Sequence, residues 1–293
     1  MVLRYDPVGE CIYCGTREPP LGNEHIVAYG IGGDWVLPEA SCRSCAGITS
    51  AIERRFLQGM IGNFRHATGM RTRRPKARPD RLPVDITYED GREEQVLVPR
   101  HDLPAGFSLP ILPPARALRG EPDDNTPVMD SGFWTWYRDD KAQKLASETG
   151  AIEIGTWVCN PTTFSQMLGK IAHGYATAVL GVRAFQPLAL DLALGRTDHI
   201  NYVVGGQFDA PIEPAKNLHE LKVRIHNEFG IVLVVVRLFA HLGAPTYHVV
   251  AGLQDGGRLA PVIERADDAG SSQLMAYMEM ATASKWLYHS ARG

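Results

Sequence analysis

Hydrophobic and polar positions alternate most regularly over residues 83–88 and 94–98, on either side of Glu89-Asp90-Gly91. A period of two interrupted by Asp-Gly predicts a β-hairpin with one buried face. Upstream, the apolar residues 26–29, the flexible Gly30-Ile31-Gly32-Gly33-Asp34 and the return Trp35-Val36-Leu37 predict a tighter strand, turn and strand, ended by Pro38. After Cys42 the period lengthens. Ile48, Ile52 and Phe56 recur every four residues and predict a helix buried along that stripe, with Glu53, Arg54 and Arg55 to the side and Gly59 as its stop.

The second half has a different rhythm. Residues 104–127 hold Pro110, Pro113, Pro114 and Pro122, which predicts irregular surface chain and a hinge within residues 104–150. Residues 152–158 read as a strand. Pro161 then opens a helix whose apolar stripe is Phe164, Leu168, Ile171, Tyr175 and Val179, leaving Lys170 facing solvent and His173 at the core edge. Residues 199–204, 218–229, 231–239 and 246–253 are further strands with short, antiparallel-type connections, the third apolar enough to be covered on both faces. Gly205-Gly206 and Gly256-Gly257 read as turns, and residues 272–289 as a closing helix. The fold class predicted is α+β, with a metal module and basic arm over residues 1–80 and a mixed, mainly antiparallel domain over residues 81–293.

At 293 residues and 44% hydrophobic content the chain can bury a substantial core. Residues 1–7 carry no apolar signal-like run, and the longest strongly apolar run, residues 231–236, is far too short for a bilayer. The expectation is a cytoplasmic protein with reduced thiols and no membrane partner. The formal net charge of −3 hides an asymmetry: between Arg54 and Arg81 nine Lys or Arg residues face one acid, Asp80, a local +8 that leaves −11 elsewhere. Phosphate binding depends on such local charge. Arg65, Arg71, Arg73, Arg74, Lys76 and Arg78 are therefore the candidate nucleic-acid contacts, the arginines able to grip two phosphate oxygens at once. A solvated linker broken by Pro75, Pro79 and Pro83 would carry the same pattern.

Chemistry concentrates near the N-terminus. Cys11 and Cys14 form one Cys-x2-Cys knuckle and Cys42 and Cys45 another, with 27 residues between them. Four thiolates in two close pairs suit a tetrahedral Zn²⁺, a structural cofactor. Cys159, alone, reads as core. Between the knuckles lies Glu24-His25, a carboxylate beside a group able to accept a proton near neutral pH. His226, His241 and His248 have no metal-ligand spacing, and the chain shows no Gly-rich phosphate loop, nucleophile elbow or internal repeat.

Cys11-Ile12-Tyr13-Cys14-Gly15, Asn23-Glu24-His25-Ile26-Val27, Gly32-Gly33 and the run from Leu37-Pro38 through Cys42-Arg43-Ser44-Cys45 resemble the zinc-knuckle branch of the HNH endonucleases, over about residues 9–57. The resemblance implies a treble-clef, ββα-metal module. It implies that His25 deprotonates water, that Glu24 holds a catalytic Mg²⁺ or other divalent ion, that the cysteines hold zinc, and that the substrate is a phosphodiester, usually in DNA. RNA is left open, and symmetric double-strand cleavage would need a homodimer. A role in prokaryotic genome defence or mobile-element biology fits such an enzyme.

The sequence departs from that pattern twice. The Asn expected before the second knuckle falls near Leu37 or Pro38, and the metal ligand expected after the last cysteine is Ala46. Glu53 lies seven residues, about 10.5 Å, along the same helix face, and leans back toward the N-terminus. It is the candidate to support the ion directly or through water. Two other readings stay open: a catalytically silent zinc module that binds nucleic acid, and a sensor or partner-binding protein with a structural zinc.

Overall fold

A computed structural model describes residues 3–124, 132–155, 159–206 and 213–261. The fold is α+β. Its N-terminal sheet, in order β1-β3-β2, comprises β1 (Leu3–Arg4), β2 (Gly22–His25) and β3 (Trp35–Ser41), with β1 parallel and β2 antiparallel to β3. The first expected strand is displaced. Residues 26–29, read from sequence as strand, leave the sheet after His25 and enter a 3₁₀ turn at Tyr29–Ile31, with Ile26, Val27 and Ala28 fully buried. Burial on every side, not a sheet face, is what their apolar run encodes. The turn folds so closely that a β-carbon on Gly33 would sit 2.0 Å from the Val27 carbonyl oxygen.

Pro38 does not end the return strand but lies within it. Gly22 pairs with Ser41 and Glu24 with Leu37, so three residues of β3 bulge opposite one of β2. The bulge absorbs the missing proline N–H and places Glu39 at φ 50°. Helix α1 (Arg43–Arg55) follows as expected, but its buried line is Cys45, Thr49, Ile52 and then Phe56, with Ile48 38% exposed. Gly59 does not stop it. One π turn at Phe56–Met60 carries the chain into α2 (Gly62–Ala67), whose Phe64 enters the core.

The Asp-Gly hairpin forms as β4 (Arg81–Thr87) and β5 (Glu93–Pro99), with Thr87 opposite Glu93. The proline-rich region departs from expectation. β6 (Gly106–Pro110) is buried along its whole length and pairs with β7 (Phe133–Tyr137), and Ala115, Ala117 and Leu118 are buried beyond it. Phe107 packs between Phe64 and Phe239 at ring distances of 4.6 and 4.8 Å, so much of residues 105–118 belongs to the core rather than to irregular surface chain. Helix α3 (Asp139–Thr149) follows. β8 (Glu153–Gly155) then pairs with β4, the remainder of the expected strand at residues 156–158 lying outside the described residues.

Helix α4 (Pro161–Leu180) is capped by Asn160, whose side chain accepts from the Thr163 N–H at 2.8 Å. It is the centre of the molecule, buried continuously over residues 163–174, with α1 and the N-terminal sheet on one side and the large sheet on the other. That sheet combines β9 (Gln186–Pro187), β10 (Val204–Gly206), β11 (His219–His226), β12 (Ile231–Leu238) and β13 (Tyr247–Leu253) in antiparallel order β10-β13-β12-β11, β9 adding to β13. The short α5 (Leu190–Ala193) packs on α4. Only the end of the strand expected at residues 199–204 forms, as β10, and Gly205 and Gly206 belong to it rather than to a turn. Their missing side chains admit the backbone of residues 112–115, and Gly206 N–H donates to Pro113 at 2.9 Å. One core joins Ile26, Phe56 and Phe64 to Phe164, Val234 and Phe239. The closing helix expected at residues 272–289 lies outside the described residues. Among the described residues no helix is long and apolar enough to cross a membrane.

Candidate functional site

The two cysteine knuckles converge. Cys11 N–H donates to Thr16 and Gly15 N–H to Cys11, both at 2.8 Å, curling the first knuckle. In the second, Cys42 caps α1 and its Sγ accepts from the Cys45 N–H at 3.5 Å. All four Sγ atoms lie within 4.8 Å of one another, and Cys14 and Cys42 are 3.7 Å apart. A tetrahedral zinc with bonds of about 2.3 Å has S···S edges of about 3.8 Å. The cluster is thus compatible with a structural metal ion such as zinc. The Cys45 N–H holds the Cys42 thiol down to about 7, so one ligand is half ionised near neutrality before any ion arrives. Burial pushes the Cys45 thiol up.

Helix α4 braces this cluster. His173, expected at the edge of the core, is 3% exposed, and its Nε2 donates to the Ile12 carbonyl at 2.7 Å. Burial keeps it neutral. Beside it Tyr13 is fully enclosed, its phenol raised by burial and then by the nearby Glu24 and Glu53 carboxylates. Tyr13 therefore separates the cysteines from a second polar centre.

That centre is built on three elements. Glu24 comes from β2, Glu53 from the last turns of α1, and Lys170 from the middle of α4. The Lys170 ammonium lies 2.6 Å from Glu24 Oε1 and 2.8 Å from Glu53 Oε1, and also donates to the carbonyls of His25 and, at 3.4 Å, Ile26. Lys170, which the helical pattern places toward solvent, is 0% exposed. α4 is covered on all sides here, so the lysine has no direction in which to reach water. Burial opposes its charge, but Glu24 and Glu53 outweigh that cost and raise it well above the usual lysine range. Burial also raises the Glu24 carboxyl, with Lys170 acting against it.

His25 ends β2, its carbonyl accepting from Lys170, and its half-buried ring is edge-on to Tyr29 at 5.9 Å. Burial lowers its pKa below 6.5, and the charges of Arg73 and Lys170 lower it further, so the imidazole is neutral at pH 7. Its Nδ1 is buried without a hydrogen-bond partner. Leu37 and Pro38, near which the resemblance would place an Asn, are both buried, and neither side chain can hydrogen-bond the ring. Ala46 offers no donor, and Thr49 spends its hydroxyl on the Ala46 carbonyl.

The expected catalytic divalent ion does not fit these residues. Glu24 and Glu53 do converge, as the sequence suggests, but onto an ammonium. Among the described residues the four cysteines are the only group of three or more His, Cys, Asp or Glu placed to hold a metal.

The basic segment is folded rather than an extended arm. Arg65 donates to the carbonyls of Gly30, Leu57 and Arg71 at 2.8, 3.1 and 3.1 Å. It ties α2 to the turn after His25, which leaves it little capacity for phosphate. Arg71 pairs with Asp34, and both Arg71 and Arg73 stand 5.9 Å from the Tyr29 ring, beside His25. Arg78 donates to the Met70 carbonyl. Arg74 and Lys76 are exposed, and Arg74 and Arg78 line a cleft of about 370 Å³ with His66 and Thr72.

Sequence reasoning misses Lys170 and His219. The signal for Lys170 is present: a lysine in Met167-Leu168-Gly169-Lys170-Ile171-Ala172 interrupts a helix apolar all round, which is the mark of a buried helix. His219 carries no such mark. Its Nε2 donates to Ile31 at 2.8 Å and its Nδ1 accepts from Phe239 N–H at 3.1 Å, linking the turn after His25 to the large sheet. No protein-family model matches the chain, and no curated protein or solved structure matches it.

Proposed function

We propose that this chain is an HNH-type endonuclease that hydrolyses phosphodiester bonds in DNA, with His25 as general base on a module stapled by zinc at Cys11, Cys14, Cys42 and Cys45. The observation that carries the reading is the setting of His25: a half-buried imidazole at a strand end, its pKa lowered by burial and by the charge of Arg73, with Arg71 and Arg73 over the neighbouring Tyr29 ring. A phosphodiester repels hydroxide, so hydrolysis needs a base at the attacking water and positive charge at the phosphoryl oxygens. His25 takes a proton from water as its oxygen attacks phosphorus. Arg73 and Arg71 offset the charge that develops on the phosphoryl oxygens. The bond to the leaving oxygen breaks, and that oxygen takes a proton from solvent. Arg74, Lys76 and Arg78 extend the cationic surface along the strand. Zinc supplies no step; it holds the loop that aims His25.

The test is nicking of supercoiled plasmid by the zinc-loaded wild type and by His25→Ala. Nicking that falls at least about 100-fold in the variant, with zinc retained, supports the reading. The second reading, a silent zinc module that binds nucleic acid, is favoured by Ala46 and by the engagement of both carboxylates with Lys170. It predicts a plasmid that is retarded on a gel by either protein and cut by neither.

A further inference from the structure

The acidic pair beneath His25 has the composition of a cation site and already contains a cation. Glu24 and Glu53 come from β2 and α1, and their Oε1 atoms close on one point. At that point stands the Lys170 ammonium, delivered 145 residues downstream of His25 and 117 downstream of Glu53. We propose that Lys170 permanently occupies the cation position of this pocket, so that no divalent ion binds at Glu24 and Glu53 and whatever the pocket does is done without one.

Three observations support the substitution. A divalent ion bonded to the same oxygens at about 2.1 Å would lie within about 4 Å of the ammonium, two cations in a site with few other charges to separate them. Lys170 cannot withdraw to make room, because α4 is enclosed over residues 163–174 and the side chain is 0% exposed. Its third N–H is directed at the His25 carbonyl, with the Ile26 carbonyl further off at 3.4 Å, so the ammonium also fixes the strand end from which the imidazole projects. Lys170 is thus a positioning residue for His25 as well as an internal counter-ion. Two carboxylates and one ammonium leave the pocket at −1, where two carboxylates and Mg²⁺ would leave it neutral.

The inference rests on reading Glu24, His25 and Glu53 as an HNH-type pocket, but it can be measured without any cleavage assay. Zinc-loaded wild type, Lys170→Met and the double variant Lys170→Met with Glu24→Gln are titrated with Mn²⁺ and free ion is followed by electron paramagnetic resonance. The wild type should show no Mn²⁺ site that depends on Glu24. Lys170→Met should gain one, at least about tenfold tighter than any wild-type binding, and the double variant should lose it. A wild-type Mn²⁺ site abolished by Glu24→Gln would overturn the proposal, and so would a folded Lys170→Met that binds no Mn²⁺. Should Lys170→Met fail to fold, the wild type and Glu24→Gln alone decide: a Glu24-dependent site overturns the proposal and its absence sustains it. Plasmid nicking run in parallel separates the two readings. Nicking by the wild type only when Mg²⁺ is added overturns the Lys170 assignment and keeps the nuclease; no nicking under any condition sinks the nuclease while the Mn²⁺ titration still decides which cation fills the pocket.

Discussion

The cysteine cluster and the carboxylate pocket lie on either side of Tyr13, yet they are assembled in opposite ways. All four cysteine ligands come from residues 11–45, held by two tight turns, a hairpin and the N–H of a helix start, and from outside that stretch α4 adds only a brace, through His173 at the Ile12 carbonyl. The pocket needs α4, which is held between α1 and the large sheet. A site closed by neighbours in sequence is stable wherever its loop folds. A site closed across more than 100 residues is a property of the whole core, and its central charge is tolerable only while every partner is in place.

The strongest way to break the comparison is to disable the four-cysteine cluster, which is compatible with a structural zinc. Structural zinc contributes on the order of 10 kcal/mol or more to small modules that depend on it. Cys42→Ser should retain little zinc by atomic absorption and lower Tm by more than about 10 °C. A full-stability variant without zinc would show that the four thiols pack without an ion, and the local site would then be no more autonomous than the pocket.

The pocket should respond next. Lys170→Met leaves two carboxylates facing each other, one of them almost wholly buried, and should destabilise the protein by about 3–5 kcal/mol in urea titrations at pH 7. Adding Glu24→Gln removes the orphaned charge and should restore more than about 1 kcal/mol of that loss. Additive losses would mean that the two residues are not energetically coupled, and the triad would be geometry without consequence.

A smaller effect reports the link between module and sheet. Burial holds His219 down to about 4, and its neutral tautomer bridges Ile31 and Phe239. Above its unfolded value of about 6.5 the full benefit is present; as pH falls from there toward 4, the unfolded chain takes up a proton that the folded protein refuses. The expected loss over that window is about 3 kcal/mol, absent in His219→Gln. Equal pH slopes for the two proteins in urea unfolding would remove His219 from the account.

Much of the fold is legible in the chain itself. The knuckles, the helix after Cys42, the Asp-Gly hairpin and β11 to β13 are written in short-range patterns of spacing and period, because each satisfies its own backbone or ligands locally. Glu24 is also nameable, as the acid beside a histidine between the knuckles, and Glu53 as the acid on the helix face of Ala46. The departures share one cause. Residues 26–29, the proline-rich stretch and Gly205-Gly206 look like a strand, a surface loop and a turn when only local propensity is consulted. Burial from all sides reassigns each of them.

By itself, then, the sequence determined an α+β chain with a Cys₄ cluster suited to zinc, a carboxylate–histidine pair between the knuckles and a basic stretch after them. Only the tertiary structure decided that Arg65 is consumed as an internal staple, that His219 ties the module to the sheet, and that the cation between Glu24 and Glu53 is Lys170. The physical reason is that a charge is read from sequence as solvent-seeking, whereas its place is decided by which oppositely charged groups the whole fold brings within about 3 Å of it.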